Sequence, residues 1–244
     1  MYIIKLYRSS PQFELIHTLN TVYFKSSFKY LQLSEKKNLL FYQASQNAIV
    51  ALGIDENFKK IENYRICEEF IIHDFKVNND FVYVINNNSV KDNKNKSSVK
   101  IFKLGDKANL FCKRSFKNVQ ELKMLHNEDY SKFIIHAQQY EDKTGKSYYG
   151  REKIFVLDYS VGKFKEVVTY NGVIHDVQFD NSQQKIATIS GKQPAHVILY
   201  DQSCKPFYML THDYKNQIFF SPNDRLIAVC AFGSLNGSIE IWDY

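Results

Sequence analysis

Gln217-Ile218-Phe219-Phe220-Ser221-Pro222-Asn223-Asp224-Arg225-Leu226-Ile227-Ala228-Val229 is the stretch on which the fold turns. Two short apolar segments flank Ser221-Pro222-Asn223-Asp224, which has the chemistry of a type I turn. Pro sets φ at the second position, and the Asn and Asp side chains can bond their own backbone. The same unit recurs upstream as predicted strand pairs: Phe28 to Leu33 with Leu39 to Tyr42, and Phe70 to Phe75 with Phe81 to Val84. Leu122 to Leu125 with Phe133 to Ile135, and Val173 to Phe179 with Ile186 to Ile189, complete the set. The apolar partners keep one offset in most copies: Leu33 and Leu40, Phe75 and Val82, Phe179 and Ile186, Phe220 and Ile227. Leu125 and Phe133 are one residue further apart.

Each pair is followed by a third predicted strand: Ala48 to Ile54, Val99 to Leu104, Lys153 to Asp158, His196 to Asp201 and Ser238 to Asp243. A weaker fourth lies between units, at Lys60 to Ile66, Leu110 to Phe116, Phe164 to Tyr170 and Pro206 to Leu210. Four short strands recurring about every forty to fifty residues are the rhythm of a WD40-like β-propeller blade. A β-sandwich is the alternative, but it needs no repeating four-strand unit. The expected fold is therefore an all-β propeller domain over residues 1–244, with about five four-stranded blades. Approximate blade limits are 19–66, 67–117, 118–170, 171–210 and an incomplete 211–244, with strands of a flanking blade in 1–18. Either a partial arc of a larger propeller or an unusually short ring fits this count. A terminal blade left uncovered would keep roughly several hundred Å² of apolar surface wet, at about 25 cal/mol per Å².

Composition agrees with a folded all-β chain. Of 244 residues 44% are hydrophobic and 15% aromatic, mostly Phe and Tyr, with few Gly and Pro. No apolar stretch reaches the roughly 18 residues that cross a bilayer. The opening Met1 to Arg8 is charged too early for a signal peptide. Cys67, Cys112, Cys204 and Cys230 stand singly, so neither a zinc site nor a disulfide framework is indicated. The expected compartment is the cytoplasm. A net charge of +6 suits a polyanionic neighbour such as RNA.

Enzyme signatures fail one by one, and no catalytic residue, cofactor or metal site is expected. Gly145-Lys146-Ser147 resembles the end of a phosphate loop, but position 140 is Tyr where that loop needs Gly. Neither a GxSxG elbow nor an HExxH pair occurs. His175-Asp176 is the one tempting dyad, yet adjacent strand residues face opposite ways. A structural polar pair is the simpler expectation there. Lys91 to Lys100 reads as a basic loop that could touch phosphate or simply be solvated.

The most specific element is Asp142-Lys143-Thr144-Gly145-Lys146-Ser147-Tyr148-Tyr149-Gly150, placed before a third strand. It resembles the DKTGxSYYG element of the eukaryotic translation initiation factor 2A family. Asn171 to Val177, Gly191-Lys192-Gln193-Pro194-Ala195 and Cys204-Lys205-Pro206 follow at similar intervals. Lys215-Asn216-Gln217-Ile218-Phe219-Phe220-Ser221-Pro222 continues in register, as does Phe232 to Asp243 with Gly233, Gly237, Trp242 and Asp243. The resemblance covers about Phe116 to Asp243. Initiation factor 3 subunit b has a similar final motif, and the Asp142 to Gly150 element favours factor 2A. Ser234, the segment Thr211-His212-Asp213-Tyr214, and Phe179-Asp180-Asn181 in place of a Trp-Ser-Pro turn are departures that indicate a divergent member.

The resemblance implies a non-catalytic translation initiation factor that docks on the small (40S) ribosomal subunit, touching rRNA and ribosomal proteins. It further suggests a role in initiator methionyl-tRNA recruitment, with initiator tRNA and mRNA as partners, and neither a membrane nor a small-molecule substrate. Family members carry a nine-bladed propeller and a basic C-terminal region, so this chain corresponds to the middle of the propeller. Candidate ribosome or RNA contacts are Lys143, Lys146, Tyr148, Tyr149, Arg151, Lys192 and Lys205; the alternative is that these residues only solvate the propeller rims. A generic WD40-type interaction scaffold and a propeller hydrolase are the rival expectations.

Overall fold

The computed structural model describes residues 2–8, 14–21, 31–34, 39–54, 60–68, 71–87, 96–117, 119–127, 132–139, 151–170, 172–182 and 184–244. Contacts divide the chain into two compact units, residues 1–117 and 118–244. Every regular element among the described residues is a strand.

In the first unit, β1 (Tyr2–Arg8) and β2 (Glu14–Thr21) form a two-stranded antiparallel sheet. Next come β3 (Leu31–Ser34), β4 (Leu39–Ser45), β5 (Ala48–Ile54) and β6 (Lys60–Cys67), paired in that order. The third sheet orders β7 (Ile72–Val77), β8 (Phe81–Asn87), β9 (Lys96–Leu104) and β10 (Ala108–Lys117) in the same way. Leu39, Phe41, Ile49, Ala51 and Ile66 of one sheet meet Ile72, Phe75, Val77, Val82, Val84 and Leu104 of the next in one buried cluster. On the other face of the β3–β6 sheet, Tyr42, Val50 and Leu52 are buried as well. Both four-stranded sheets of this unit are thus apolar on two faces, as stacked sheets require.

The second unit repeats the plan. One sheet runs β11 (Val119–His126), β12 (Phe133–Gln139), β13 (Arg151–Asp158) and β14 (Lys163–Val167). The next runs β15 (Ile174–Phe179), β16 (Ile186–Ser190), β17 (Ala195–Tyr200) and β18 (Pro206–Asp213). Last is a three-stranded sheet of β19 (Gln217–Phe220), β20 (Leu226–Cys230) and β21 (Ile239–Asp243). Alternation along β17 serves both interfaces. Ile198 and Tyr200 join the cluster shared with β12 and β13, while Ala195, Val197 and Leu199 join the cluster shared with β19 and β20. The far face of the last sheet exposes Phe219, Leu226, Ile239 and Ile241.

Successive sheets are pinned at their first strands by polar side chains. Gln32 on β3 takes the N–H of Val77 at 2.7 Å and donates to the Phe75 carbonyl at 2.9 Å. Asp176 on β15 accepts from the N–H of Ile218 on β19 at 2.8 Å, and from its own neighbour Val177 at 2.8 Å. First strands side by side, with sheets stacked face on face, define the β-propeller. Among the described residues the strand pattern expected from the repeats is the one found, with limits shifted by a few residues; Phe28 to Tyr30 and Phe70 lie outside them.

Two registers differ from the sequence expectation. Val82 pairs with Val77, and Phe75 with Val84, because Asn78 accepts from the N–H groups of Asp80 and Phe81 and tightens the turn. Likewise Phe133 pairs with His126, and Leu125 with Ile134. The Lys91 to Lys100 tract is not all loop either: from Lys96 onward it is β9, and Lys100 is tied to the buried Glu68 carboxylate. Residues 91–95 lie outside the described residues.

Replacing Asp176 with Ala leaves the Ile218 and Val177 N–H groups without their acceptor. The expected loss is about 1–3 kcal/mol of unfolding free energy, read from urea denaturation of the intact chain.

Candidate functional site

The start of β13, the β16–β17 turn and the β20–β21 connection lie at one edge of the second unit. Arg151 begins β13, and Lys192 sits in the turn from β16 to β17. Glu152, buried beside Arg151, accepts from the N–H of Ile174 at the start of β15 at 2.9 Å. His175 donates from Nε2 to the Gly191 carbonyl at 3.0 Å. These two bonds bring the β13 start, the β15 start and the Gly191–Lys192 turn to the same edge. Gly172 and Gly191 allow that approach. A Cβ on Gly172, where φ is +135°, would stand 3.3 Å from the Gly191 backbone.

Side chains then zip this turn to the loops of the last sheet. Gln193 Nε2 donates to the Lys215 carbonyl at 2.6 Å, and its Oε1 accepts from the Lys215 N–H at 3.2 Å. Asn216 does the same to Phe232, donating to the carbonyl at 3.0 Å and accepting from the N–H at 2.9 Å. The 231–238 loop closes on itself through Gly237 N–H to the Ala231 carbonyl at 2.8 Å, with φ +75° at Gly237 and +72° at Gly233. Lys215 is fully buried, its ammonium 2.8 Å from Glu240 Oε1 and 2.8 Å from Ser238 Oγ. The motif residues Pro194, Asn216, Gly233 and Gly237 are therefore members of one braced edge. The peptide before Pro194 is cis, and the Pro194 carbonyl accepts from His212 Nε2 at 3.0 Å.

The opposite edge holds Ser221 and Pro222. Asp224 N–H closes the turn on the Ser221 carbonyl at 2.9 Å. The Asp224 carboxylate reaches back to the preceding sheet and accepts from Asn181 N–H at 2.7 Å, Asn181 Nδ2 at 2.8 Å, and Ser182 N–H. Asn181, in the divergent Phe179-Asp180-Asn181 turn, is thus anchored. Trp242 packs against the buried cluster of the last sheet pair, and Asp243 pairs with Arg225 at 2.8 Å on the surface.

Of the contacts proposed from sequence, Arg151 and Lys192 share the braced edge. Lys205 does not join them. It lies in the turn after β17, at the far end of a strand about 20 Å long. Lys143, Lys146, Tyr148 and Tyr149, with Asp142, Thr144, Gly145 and Gly150, lie outside the described residues, in the β12–β13 connection. Sequence reasoning missed Glu152 and quoted Gln193 and Lys215 only as parts of motif stretches, without a role; all three act through partners distant in the chain. His175 and Asp176 have separate partners and do not act as a dyad. No cluster of three or more metal-ligating side chains occurs among the described residues.

Charge at this edge is held inward by Glu152. Burial pushes its carboxyl up, but the bond from His136 Nε2 at 2.7 Å and that from Ile174 N–H outweigh it, leaving the group below its ordinary range.

Stacked four-stranded sheets with braced strand-to-strand loops make the chain a β-propeller. A family model described as "Eukaryotic translation initiation factor eIF2A" matches residues 114–244, more than half of the sequence. The chain belongs to the eIF2A family. Eukaryotic translation initiation factor 2A of Dictyostelium discoideum is 30% identical over 136 residues, covering 55% of this chain and 22% of that protein. Its Drosophila melanogaster counterpart is 27% identical over 150 residues, covering 60% of this chain and 23% of that one. The alignments thus span less than a quarter of those relatives' length. A solved eukaryotic initiation factor superposes with a TM-score of 0.69 at 20% identity, over 94% of this chain and 54% of that one.

Because Glu152 titrates lower in the folded chain than in the unfolded one, its contribution is complete above the unfolded value. It is lost as pH falls below about 4.5. Glu152→Gln is expected to flatten the acid limb of a stability–pH profile followed by circular dichroism. At neutral pH the same variant loses about 1.5–3 kcal/mol, the worth of a hydrogen bond to a buried charge.

Proposed function

We propose that the chain serves translation initiation as a non-catalytic, cytoplasmic scaffold that docks on the small ribosomal subunit. The observation that carries this is the family match over residues 114–244, which contains the whole braced edge. Lys192 sits at that edge and Arg151 begins β13 there, with Lys143 and Lys146 a few residues earlier in the sequence, so this part of the chain offers cations that can meet phosphates. Such contacts position a protein on RNA without reading its sequence. Tyr148 and Tyr149 supply rings on which unpaired bases can stack. Initiator tRNA recruitment and contact with mRNA are finer roles for which the family resemblance is the support. The matched segment spans less than a quarter of the length of these relatives.

The bracing bonds support the docking role physically. Loops already fixed by Gln193, Lys215 and Asn216 lose little further freedom on binding, so more of the contact energy appears as affinity.

Sedimentation of the purified chain with purified small subunits at two salt concentrations tests this. Co-sedimentation is expected at low salt, weakening steeply as salt rises. Lys143→Glu with Lys146→Glu, or Arg151→Glu with Lys192→Glu, is expected to reduce it and flatten the salt dependence. Lys205→Glu, on the other edge, is expected to leave it intact. Binding unchanged in both double variants rejects the proposal.

A further inference from the structure

The outer strands of the sheets differ in kind. β10 exposes Lys113 and Lys117 with a single large apolar side chain, Leu110, and β14 exposes Lys163, Lys165 and Glu166. Such charges are how natural sheets protect their edges. β18 instead exposes Pro206, Phe207, Tyr208 and Met209 in an unbroken row. Two bulges cause this, one at each end of the paired run Ile198–Leu199 on β17. The extra residues, Phe207 and Leu210, let neighbouring side chains turn outward together.

Across from this row lie Val168 and Tyr170, which follow β14. Val168, Thr169, Tyr170, Ile198 and Pro206 to Met209 enclose a groove of about 420 Å³ with no charged residue in its lining. Val168, Tyr170, Phe207, Tyr208 and Met209 are each between 45% and 71% exposed. One wall is stiffened by a stack of rings: Tyr170 lies 3.5 Å from His196, and His196 lies 4.0 Å from His212, centroid to centroid. Cations stand at the Pro206 end. Lys205 is exposed beside Pro206, and the Lys165 ammonium rests on the Ser203 carbonyl. The carboxylates nearby, Asp158 and Asp201, are turned onto their own turns by Ser160 and Ser203.

We propose that this groove docks an acidic segment of a partner protein carrying aromatic or aliphatic anchors. Exposed Phe, Tyr and Met without interspersed charge are the make-up of a protein–protein interface core. Nucleic acid is disfavoured, because the lining has no cation to neutralise phosphates along its length. Strand addition is disfavoured too, since the bulges spoil the ladder. Recognition rests on side chains entering the groove, with acidic residues meeting Lys165 and Lys205. The proposal stands apart from ribosome docking, which uses the edge at the other end of β17.

A displayed library of random peptides about ten residues long, panned on the intact chain and counter-selected on the Met209→Lys variant, tests it. The expected winners are acidic and rich in aromatic or aliphatic residues. By fluorescence anisotropy they bind the wild type at least about tenfold more tightly than Tyr208→Lys or Met209→Lys. Lys165→Glu with Lys205→Glu is expected to weaken them as well. Both hydrophobic positions are exposed, and an unchanged thermal midpoint in each variant establishes that the fold is kept. Winners that are basic, or none beyond the counter-selection, overturn the proposal. So does an oligouridylate whose binding is lost in the same variants, or a dimer in sedimentation velocity that Tyr208→Lys abolishes.

Discussion

A four-stranded sheet that is apolar on both faces cannot stand alone in water. Covering Ile198 and Tyr200 on one side, and Val197 and Leu199 on the other, takes a neighbouring sheet on each side. That need for two-sided cover fixes the stacking, and stacking consumes the faces. What remains for other molecules is the perimeter: the connections at either end of the sheets and the outermost strands. Every feature argued above to have a binding role lies on one of these.

Burial of apolar area is indifferent to small slides between sheets, so polar groups must settle the alignment. Asp176 and Gln32 do this at the first strands, and Asp224 does it across one edge through Asn181 and Ser182. Glu152 serves two sheets at once, taking His136 from its own and Ile174 from the next. Lys215 is the extreme case. A fully buried ammonium is costly unless paired, and Glu240 and Ser238 pair it within the last sheet. Buried groups of this kind tend to specify one arrangement rather than to add stability.

The strand inventory was legible because each strand is a short apolar run bounded by polar turns. Periodicity cannot see how far a turn tightens, which is why Val82 was paired with Phe75 instead of Val77. Motif residues such as Asn216 and Gly237 could be named from sequence, but not their task of fixing the loop after β20. Partners of Gln193 and Glu152 lie 22 residues away, beyond any local pattern, so the sequence does not show what either side chain does. The outward row on β18 had a visible signal in Phe207-Tyr208-Met209, where other outer strands carry lysines. Only the bulges explain why all three escape the core.

The residue that follows the first strand of a sheet is Asn127, Asp180 or Ser221 in the second unit. Each pairs its backbone N–H with a carbonyl across the turn, and its side-chain oxygen takes the N–H returned: Lys132, Lys185 and Leu226 supply these at 2.9 Å, 2.9 Å and 2.9 Å. An amide, a carboxylate and a hydroxyl are therefore synonyms at this position. A comparison by identity counts three different letters where the backbone reads one instruction. Divergence can run through such sites at little cost to folding, so a propeller of this kind can outlive the recognisability of its own sequence.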